Sequence, residues 1–510
     1  MPFSSLSMRR SLLLLACLAL APAFAEEAKQ PATPAPAPPP IPKVKADEPP
    51  RVIRVNVTNQ GWDFLRPWGK RAPFTRRAIG PVLPGGRVLV SGELVANANY
   101  VELELPDGSG KTPATIEAVD YECNLAILRG DDPKFLDGFA PFDFTEAKVG
   151  DTIGVWQLEN TGVVLSTSGP LTTVEVSRYP IDDSSFLVYR ATTTLQFRDS
   201  SFTVPVVKGD KLAGLVVRYD NSSNAAEIVP TPVIRHFLAD AEKKPYEGFP
   251  RTGLSFSNTR DPQFRRYLGL KDSGGVYVNQ VLKNSPGAKA GLQAGDIILS
   301  IDGYPIDQDG NYNDPDYGKL ALIHLISTRH FAGESAKFTI IRGGQRQELS
   351  VALEHRDLDS YVSEPYIIDR APKFYILGGL VLQELSRQYL KEFGNDWAKR
   401  APQELVYFDR YQGDLFAEGP KKVVILSRVL PVPSTIGYEE LHHLRVTKIN
   451  GVELQSLADV PAALDKSTDG LQKIEFDADP SVIYLDTNSI KSDEQSLTRN
   501  YRLPTTQRLN

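Results

Sequence analysis

Ala290-Gly291-Leu292-Gln293-Ala294-Gly295-Asp296-Ile297-Ile298-Leu299-Ser300-Ile301-Asp302-Gly303 decides how the middle of the chain folds. Gly291 ends a short helix, because glycine takes the left-handed conformation of a helix C-terminus without steric cost. Gly295 makes the next turn. Ile297 to Ile301 is then a strand, and Asp302-Gly303 is a hairpin-type turn that sends the chain back along it. Upstream, Gly275-Val276-Tyr277-Val278-Asn279-Gln280-Val281 is another strand, joined to the helix through Ser285-Pro286-Gly287-Ala288-Lys289. Strand, short helix, strand and tight turn within thirty residues make a small α+β module.

Outward toward the N-terminus the pattern changes. Short β-rich runs follow one another from Val52 to about Val233: Arg51–Val57, Arg87–Val90, Tyr100–Leu105, Ala114–Val119, Leu125–Leu128, Thr152–Gln157, Gly162–Thr167, Ser185–Thr192 and Lys211–Arg218. Pro84-Gly85-Gly86, Pro106-Asp107-Gly108 and Lys208-Gly209-Asp210 punctuate them. Many short strands at this spacing mean an all-β barrel or sandwich. A helix is expected at Pro232–Lys243. Toward the C-terminus, Phe374–Leu382, Lys421–Val429 and Leu441–Ile449 read as strands and Leu385–Phe393 as a helix. Val446-Thr447-Lys448-Ile449-Asn450-Gly451 echoes Ile298-Leu299-Ser300-Ile301-Asp302-Gly303, so the middle module is repeated.

The Gly275–Gly303 run resembles a PDZ domain of the Deg/HtrA (protease Do-like) family. Three stretches upstream carry the same resemblance. Arg87–Val95 sits where the family has its R-V-L-T-N-x-H-x-V strand, Glu122–Leu128 where it has x-x-D-[LI]-A-L-L, and Ser200–Val206 where it has G-N-S-G-G-P. Lys211–Val216 matches the strand that follows. Val423–Leu430 and Ile436-Gly437-Tyr438-Glu439-Glu440 resemble the plant-type members. The resemblance implies a mainly β chain: a trypsin-like double β-barrel followed by two PDZ-like α+β domains. The expected division is a signal peptide at 1–25, a Pro/Ala-rich linker at 26–50, a degenerate trypsin-like barrel at 51–245, a PDZ domain at 246–357 and a second PDZ-like domain at 358–510. Homo-oligomers are implied by the resemblance, since the family's second PDZ domain helps to pack subunits.

The catalytic positions of that family are all changed here. Glu93 stands at the histidine position, Asn124 at the aspartate position and Phe202 at the serine position. A slip of one or two residues would put Ser201 or Ser200 at the nucleophile's place. A serine hydroxyl is a weak nucleophile without a base to take its proton, and no histidine occurs before His236. A carboxylate such as Glu93, with an ordinary pKa of about 4.3, is a poor base for a hydroxyl at neutral pH. Lys208 or Lys211 in a Ser-Lys pair is the remaining arrangement. The expected protein is therefore a homologue without catalysis that binds peptides or unfolded segments. The alternative is a serine endopeptidase with a nonstandard site, acting in protein quality control.

Peptide binding is expected at Arg251-Thr252-Gly253-Leu254-Ser255-Phe256. PDZ domains add an extended peptide to an open sheet edge and hold its terminal carboxylate in a loop of backbone N–H groups. Gly253 permits close backbone approach, and Arg251 would add charge attraction. Leu254 and Phe256 alternate toward a pocket shared with a helix over Tyr317–Thr328. The Asp307–Asp316 insertion, rich in Asp, Asn and Gly, is expected to be a flexible polar loop, since these are turn residues.

The 510 residues suit about three domains. With 57 basic against 63 acidic residues, the net charge of −6 lacks the positive excess that nucleic acid requires. Cys17 and Cys123 are too few for a disulfide framework or a cysteine-built zinc site. The adjacent pair His442-His443 does not share a helix face, and neither a metal nor a cofactor is expected. Arg9-Arg10, the apolar run Ser11–Leu20 and Ala23-Phe24-Ala25 have the pattern of a cleaved export signal, with lipidation at Cys17 the weaker reading. Nine prolines in 26–50 make an extended spacer. No later stretch reaches eighteen apolar residues, so no transmembrane segment is expected in the mature chain. The expectation is export, to the periplasm or outside the cell.

Overall fold

The computed structural model describes residues 49–181, 184–195, 203–270, 274–418 and 421–510. The expected signal peptide and nearly all of the linker lie outside the described residues, as do Ser200, Ser201 and Phe202.

Two closed six-stranded barrels come first. In the first, Val52–Asn59 pairs on one side with Phe74–Leu83 and on the other with Ala98–Glu104, and Arg87–Val90, Leu125–Gly130 and Lys111–Asp120 complete the circle. Its opening strand alternates, with Ile53, Val55 and Val57 fully buried in the lumen. The second barrel runs Val204–Lys208, Lys211–Asp220, Ala225–Pro230, Ser185–Thr192, Val164–Arg178 and Thr152–Leu158. Closure removes the unpaired edges that an open sheet would expose.

Three of these strands carry no alternating signature. Phe74–Leu83 opens with Thr75-Arg76-Arg77 and contains Gly80-Pro81; Val204–Lys208 contains Pro205; Ala225–Pro230 ends in proline. Neighbouring strands hold them in place. At Gly80 a Cβ would stand 2.3 Å from Val88 Cγ1, so the first barrel closes only over glycine there.

The helix Thr231–Ala241 leaves the second barrel and leads to a mixed module. Its sheet runs Leu254–Ser257, Val276–Val281, Ile297–Ile301, Ser335–Arg342, Gln345–Ala352, with Tyr304–Pro305 beside Ile297–Ile301. The short helix Pro286–Lys289 begins at Ser285, whose Oγ accepts the Ala288 N–H at 3.3 Å. Gly291 has φ +85 and Gly295 φ +95.

The insertion departs from expectation. Asn311–Asp314 and Gly318–Ala321 form a β-hairpin, and the helix beyond is only Ile323–Ser327. The reason is Asp314, which is buried rather than solvated. It accepts the Tyr312 hydroxyl at 2.8 Å and pairs with Arg329 at 2.7 Å.

Barrel and module share one core. Phe186, Leu187, Phe237, Phe249, Val276, Leu325 and Phe338 belong to a single buried cluster. His236, 4% exposed, is stacked between Phe249 and Phe331 at 4.3 and 4.1 Å, and Tyr317 donates to Glu146 at 2.6 Å across the same seam.

The C-terminal part is an eight-stranded sheet ordered Val482–Asp486, Leu471–Phe476, Leu444–Ile449, Val424–Val429, Leu380–Glu384, Phe374–Leu377, Gln507–Arg508, with Val452–Glu453 beside Leu444–Ile449. The helices Gln403–Arg410 and Thr487–Tyr501 cover it. It is tied to the first barrel through Asp369, which accepts the Asn97 N–H at 2.7 Å and the Tyr121 hydroxyl.

Candidate functional site

Glu93 and Asn124, expected from the sequence at the places of a catalytic histidine and aspartate, are brought together. Glu93 sits on the one-turn helix Gly92–Val95, which packs on the turn Tyr121–Asn124. Asn124 is fully buried with φ +55, and its Oδ1 accepts the Glu93 backbone N–H at 2.8 Å. Its Nδ2 has no partner among the described residues. The Glu93 carboxylate, 51% exposed, lies 3.7 Å from Arg76. Thr203, next in sequence to Phe202, shares a 2.6 Å hydrogen bond between its hydroxyl and that of Ser91. The scaffold thus juxtaposes the three chain regions, with a solvated carboxylate at Glu93 and a buried amide at Asn124. Lys208 is committed to Asp151 at 2.6 Å. His236 is locked in its aromatic stack with Nδ1 on Thr328 O at 3.2 Å, and burial pushes its pKa down.

The loop at 251–254 is built for a different task. Gly253 has φ +70, and a Cβ there would stand 2.3 Å from the Ser285 Cβ. Thr252 O accepts the Gly287 N–H at 2.9 Å and Gly253 O accepts the Leu282 N–H at 2.7 Å. With both carbonyls used inward, the consecutive amides of Thr252 and Gly253 have no acceptor among the described residues. Successive N–H groups around a left-handed residue form an anion-binding nest. The strand Leu254–Ser257 follows as the outermost of its sheet, paired among the described residues only with Val276–Val281. Leu254 and Phe256 are half-buried on one face, and Ser255 and Ser257 are exposed on the other. In the C-terminal sheet, Leu380–Glu384 is paired on both sides, by Phe374–Leu377 and Val424–Val429. Among the described residues the open edge after a glycine loop belongs to the first module.

Arg251 corrects the expectation. Its guanidinium is given to the barrel, where Nη2 meets Glu122 Oε2 at 2.8 Å and also bonds the Ser184 hydroxyl. Glu122 is 2% exposed and takes a second partner, His355 Nε2, at 3.2 Å. Asp120 completes the cluster, accepting the Glu122 and Cys123 amides at 2.7 and 3.2 Å and the Tyr246 hydroxyl. Burial alone would raise the Glu122 carboxyl; Arg251 and His355 outweigh it and hold it below the usual range. Burial would lower His355, but the Glu122 carboxylate raises it. Burial and the neighbouring Glu122 charge raise Asp120 to about 6. Nothing in the sequence pointed to this cluster, because Glu122 and His355, which meet in it, are 233 positions apart.

Among the described residues no helix is long and apolar enough to cross a membrane, and no group of three or more His, Cys, Asp or Glu side chains is placed to hold a metal.

Family models described as PDZ domain match residues 250–353 and 364–508. The chain is 26% identical over 461 residues to the chloroplastic protease Do-like 2 of Arabidopsis thaliana, covering 89% of this chain and 74% of that protein. It is 26% identical over 465 residues to the putative mitochondrial protease Do-like 3 of the same plant, covering 89% and 78%. A shorter stretch of 86 residues, 17% of this chain and 16% of the relative, is 44% identical to a probable periplasmic DegP-like serine endoprotease of Pseudomonas putida. Among solved structures, the HtrA-type protease AlgW with a tripeptide matches with a TM-score of 0.47 and 18% identity, over 61% of this chain and 95% of that one. With two closed barrels followed by two PDZ domains, and Do-like relatives along nearly nine-tenths of its length, the chain is similar in architecture and sequence to the proteins of the Deg/HtrA family.

Proposed function

We propose that this chain is a Deg/HtrA homologue without peptidase activity that captures peptide or unfolded-protein segments through its first PDZ domain. One observation carries the reading. The histidine- and aspartate-equivalent positions hold Glu93, turned to Arg76 and solvent, and Asn124, spent on the Glu93 amide. Serine hydrolysis needs an imidazole or equivalent base held beside the hydroxyl, and His236 is confined in an aromatic stack. The retained nest at Thr252-Gly253 and the open edge Leu254–Ser257 support capture by strand addition. Export to the periplasm or cell exterior, and assembly into homo-oligomers, belong to the same proposal. They rest on the Arg9–Ala25 pattern and on the family's second PDZ domain.

A second reading has a specific ground. The relatives along most of the chain are named proteases, and Ser200 and Ser201 lie beside the nucleophile's place. Incubation with a fluorophosphonate probe and an unfolded casein separates the two. No labelling and no cleavage are expected. Labelling abolished by changing Ser200 and Ser201 to alanine establishes the peptidase instead.

A further inference from the structure

His442 and His443 open on a cavity of about 420 Å³ in the C-terminal module, between the strand Val424–Val429, the loop that follows it and the turn that carries Leu65. None of its lining residues belongs to the first PDZ domain at 250–353, so it is a place apart from the peptide loop. Local structure fixes the two rings. His443 takes φ +60, and Tyr389 and Phe393 hold its imidazole edge-on at 6.3 and 5.4 Å. His442 packs on it at 4.5 Å and donates from Nδ1 to the Glu440 carbonyl at 2.6 Å.

The wall has a cation to spare. Arg428 stands on the exposed side of its strand, and its guanidinium meets no acceptor among the described residues. Glu439, the carboxylate of the lining, is turned to the Gly437 N–H at 2.8 Å. Burial, with His442 and Arg428 nearby, pushes His443 down to about 4, so at neutral pH it is a neutral imidazole beside the guanidinium. The Tyr389 hydroxyl, buried and without a partner among the described residues, is in reach of the same Arg428 charge. A planar cationic fork with neutral donors beside it suits a single carboxylate, which takes two parallel N–H bonds, better than a doubly charged group. Leu65, Leu430 and Leu441 make the wall apolar next to that fork, and Leu65 is 36% exposed. Sites for small organic ligands have this composition, mostly apolar with a few polar groups that fix orientation.

We propose that this cavity is a ligand site for an apolar monocarboxylate, with Arg428 and His443 on the carboxylate and Leu65, Leu430 and Leu441 around the chain behind it. A free aliphatic acid and the end of an apolar polypeptide share that chemistry. The site stands whether or not the first PDZ domain takes a peptide.

The test is calorimetric titration of the full chain at neutral pH with sodium octanoate, octanamide, inorganic phosphate and N-acetyl-Ala-Val-Leu as the free acid. Octanoate is expected to bind saturably. Octanamide is expected to bind at least about tenfold more weakly for want of the charge-assisted pair, and phosphate likewise for want of the apolar chain. Arg428→Gln, an exchange at an exposed side chain, is expected to weaken octanoate at least about tenfold. In the chain labelled with isotopic histidine, octanoate is expected to shift the His443 ring resonances, identified by their loss in His443→Asn, since asparagine tolerates the left-handed backbone. Gly253→Val, in the peptide loop, leaves octanoate binding unchanged. Tripeptide affinity that falls with Arg428→Gln makes a chain end the source of the carboxylate; affinity that falls with Gly253→Val alone leaves the free acid as the source. Octanoate bound no better than octanamide or phosphate, or bound equally well by Arg428→Gln, overturns the site.

Discussion

At Glu122 and Arg251, two side chains 129 positions apart fasten the first barrel to the first PDZ domain. The same residues set how stability follows pH. The Glu122 carboxyl is lowered in the fold, so its contribution is present above the unfolded value of 4.5 and is lost as pH falls through the lowered one. His355 is raised, so its contribution is complete below 6.5 and is lost as pH rises through the raised one. Asp120 is raised to about 6, so its charge works against the fold as pH climbs from 3.8 to that value and beyond. His355→Gln is therefore expected to lower the urea midpoint more near pH 6 than near pH 8, and Asp120→Asn is expected to raise the pH 8 midpoint. An equal effect of His355→Gln at the two pH values contradicts the assignment. Gly253→Val places a β-branched side chain at φ +70 against Ser285. A cost of about 2 kcal/mol is expected from the left-handed conformation, with loss of binding, by fluorescence anisotropy, of a labelled peptide that has an apolar, free C-terminus.

Among the elements, the edge strand Leu254–Ser257 carries the proposed peptide site, and helix caps hold neighbouring pieces in place. The longest helix, Thr487–Tyr501, starts on Asp486, whose Oδ1 accepts the Ser489 N–H at 2.7 Å. Asp486→Ala is expected to cost about 1 kcal/mol by urea unfolding, with the first PDZ site unaffected. The elements also mark where sequence reading works. Strands with an alternating face, such as Val52–Asn59, and the run ending in Asp302-Gly303 were legible because side-chain period and turn chemistry are local. Phe74–Leu83, Val204–Lys208 and Ala225–Pro230 were not, since barrel closure buries residues that lack their own pattern. The Asn311–Ala321 hairpin was hidden by its polar composition, which is organised by the buried Asp314–Arg329 pair rather than by apolar spacing.

For the whole molecule, the continuous core joining second barrel and first PDZ domain makes them one mechanical body. Phe249 lies at the junction, 1% exposed, with Phe186 at 4.6 Å on one side and His236 at 4.3 Å on the other. Phe249→Ala is expected to cost about 3–5 kcal/mol and to lower barrel and PDZ melting together in calorimetry. Separate transitions, with only one displaced, would mean that the two modules are independent. The sequence by itself determined the β-rich front, the repeated module, the glycine-marked peptide loop and the lack of any histidine before His236. All of these are properties of neighbouring residues. The tertiary structure alone decided that Glu93 and Asn124 meet, that the amides of Thr252 and Gly253 find no acceptor among the described residues, and that Arg251 and His355 both turn to Glu122. Periodicity reports only which face a residue shows, whereas a buried charge is fixed by whichever opposite charge the folded chain carries to it across a hundred residues or more.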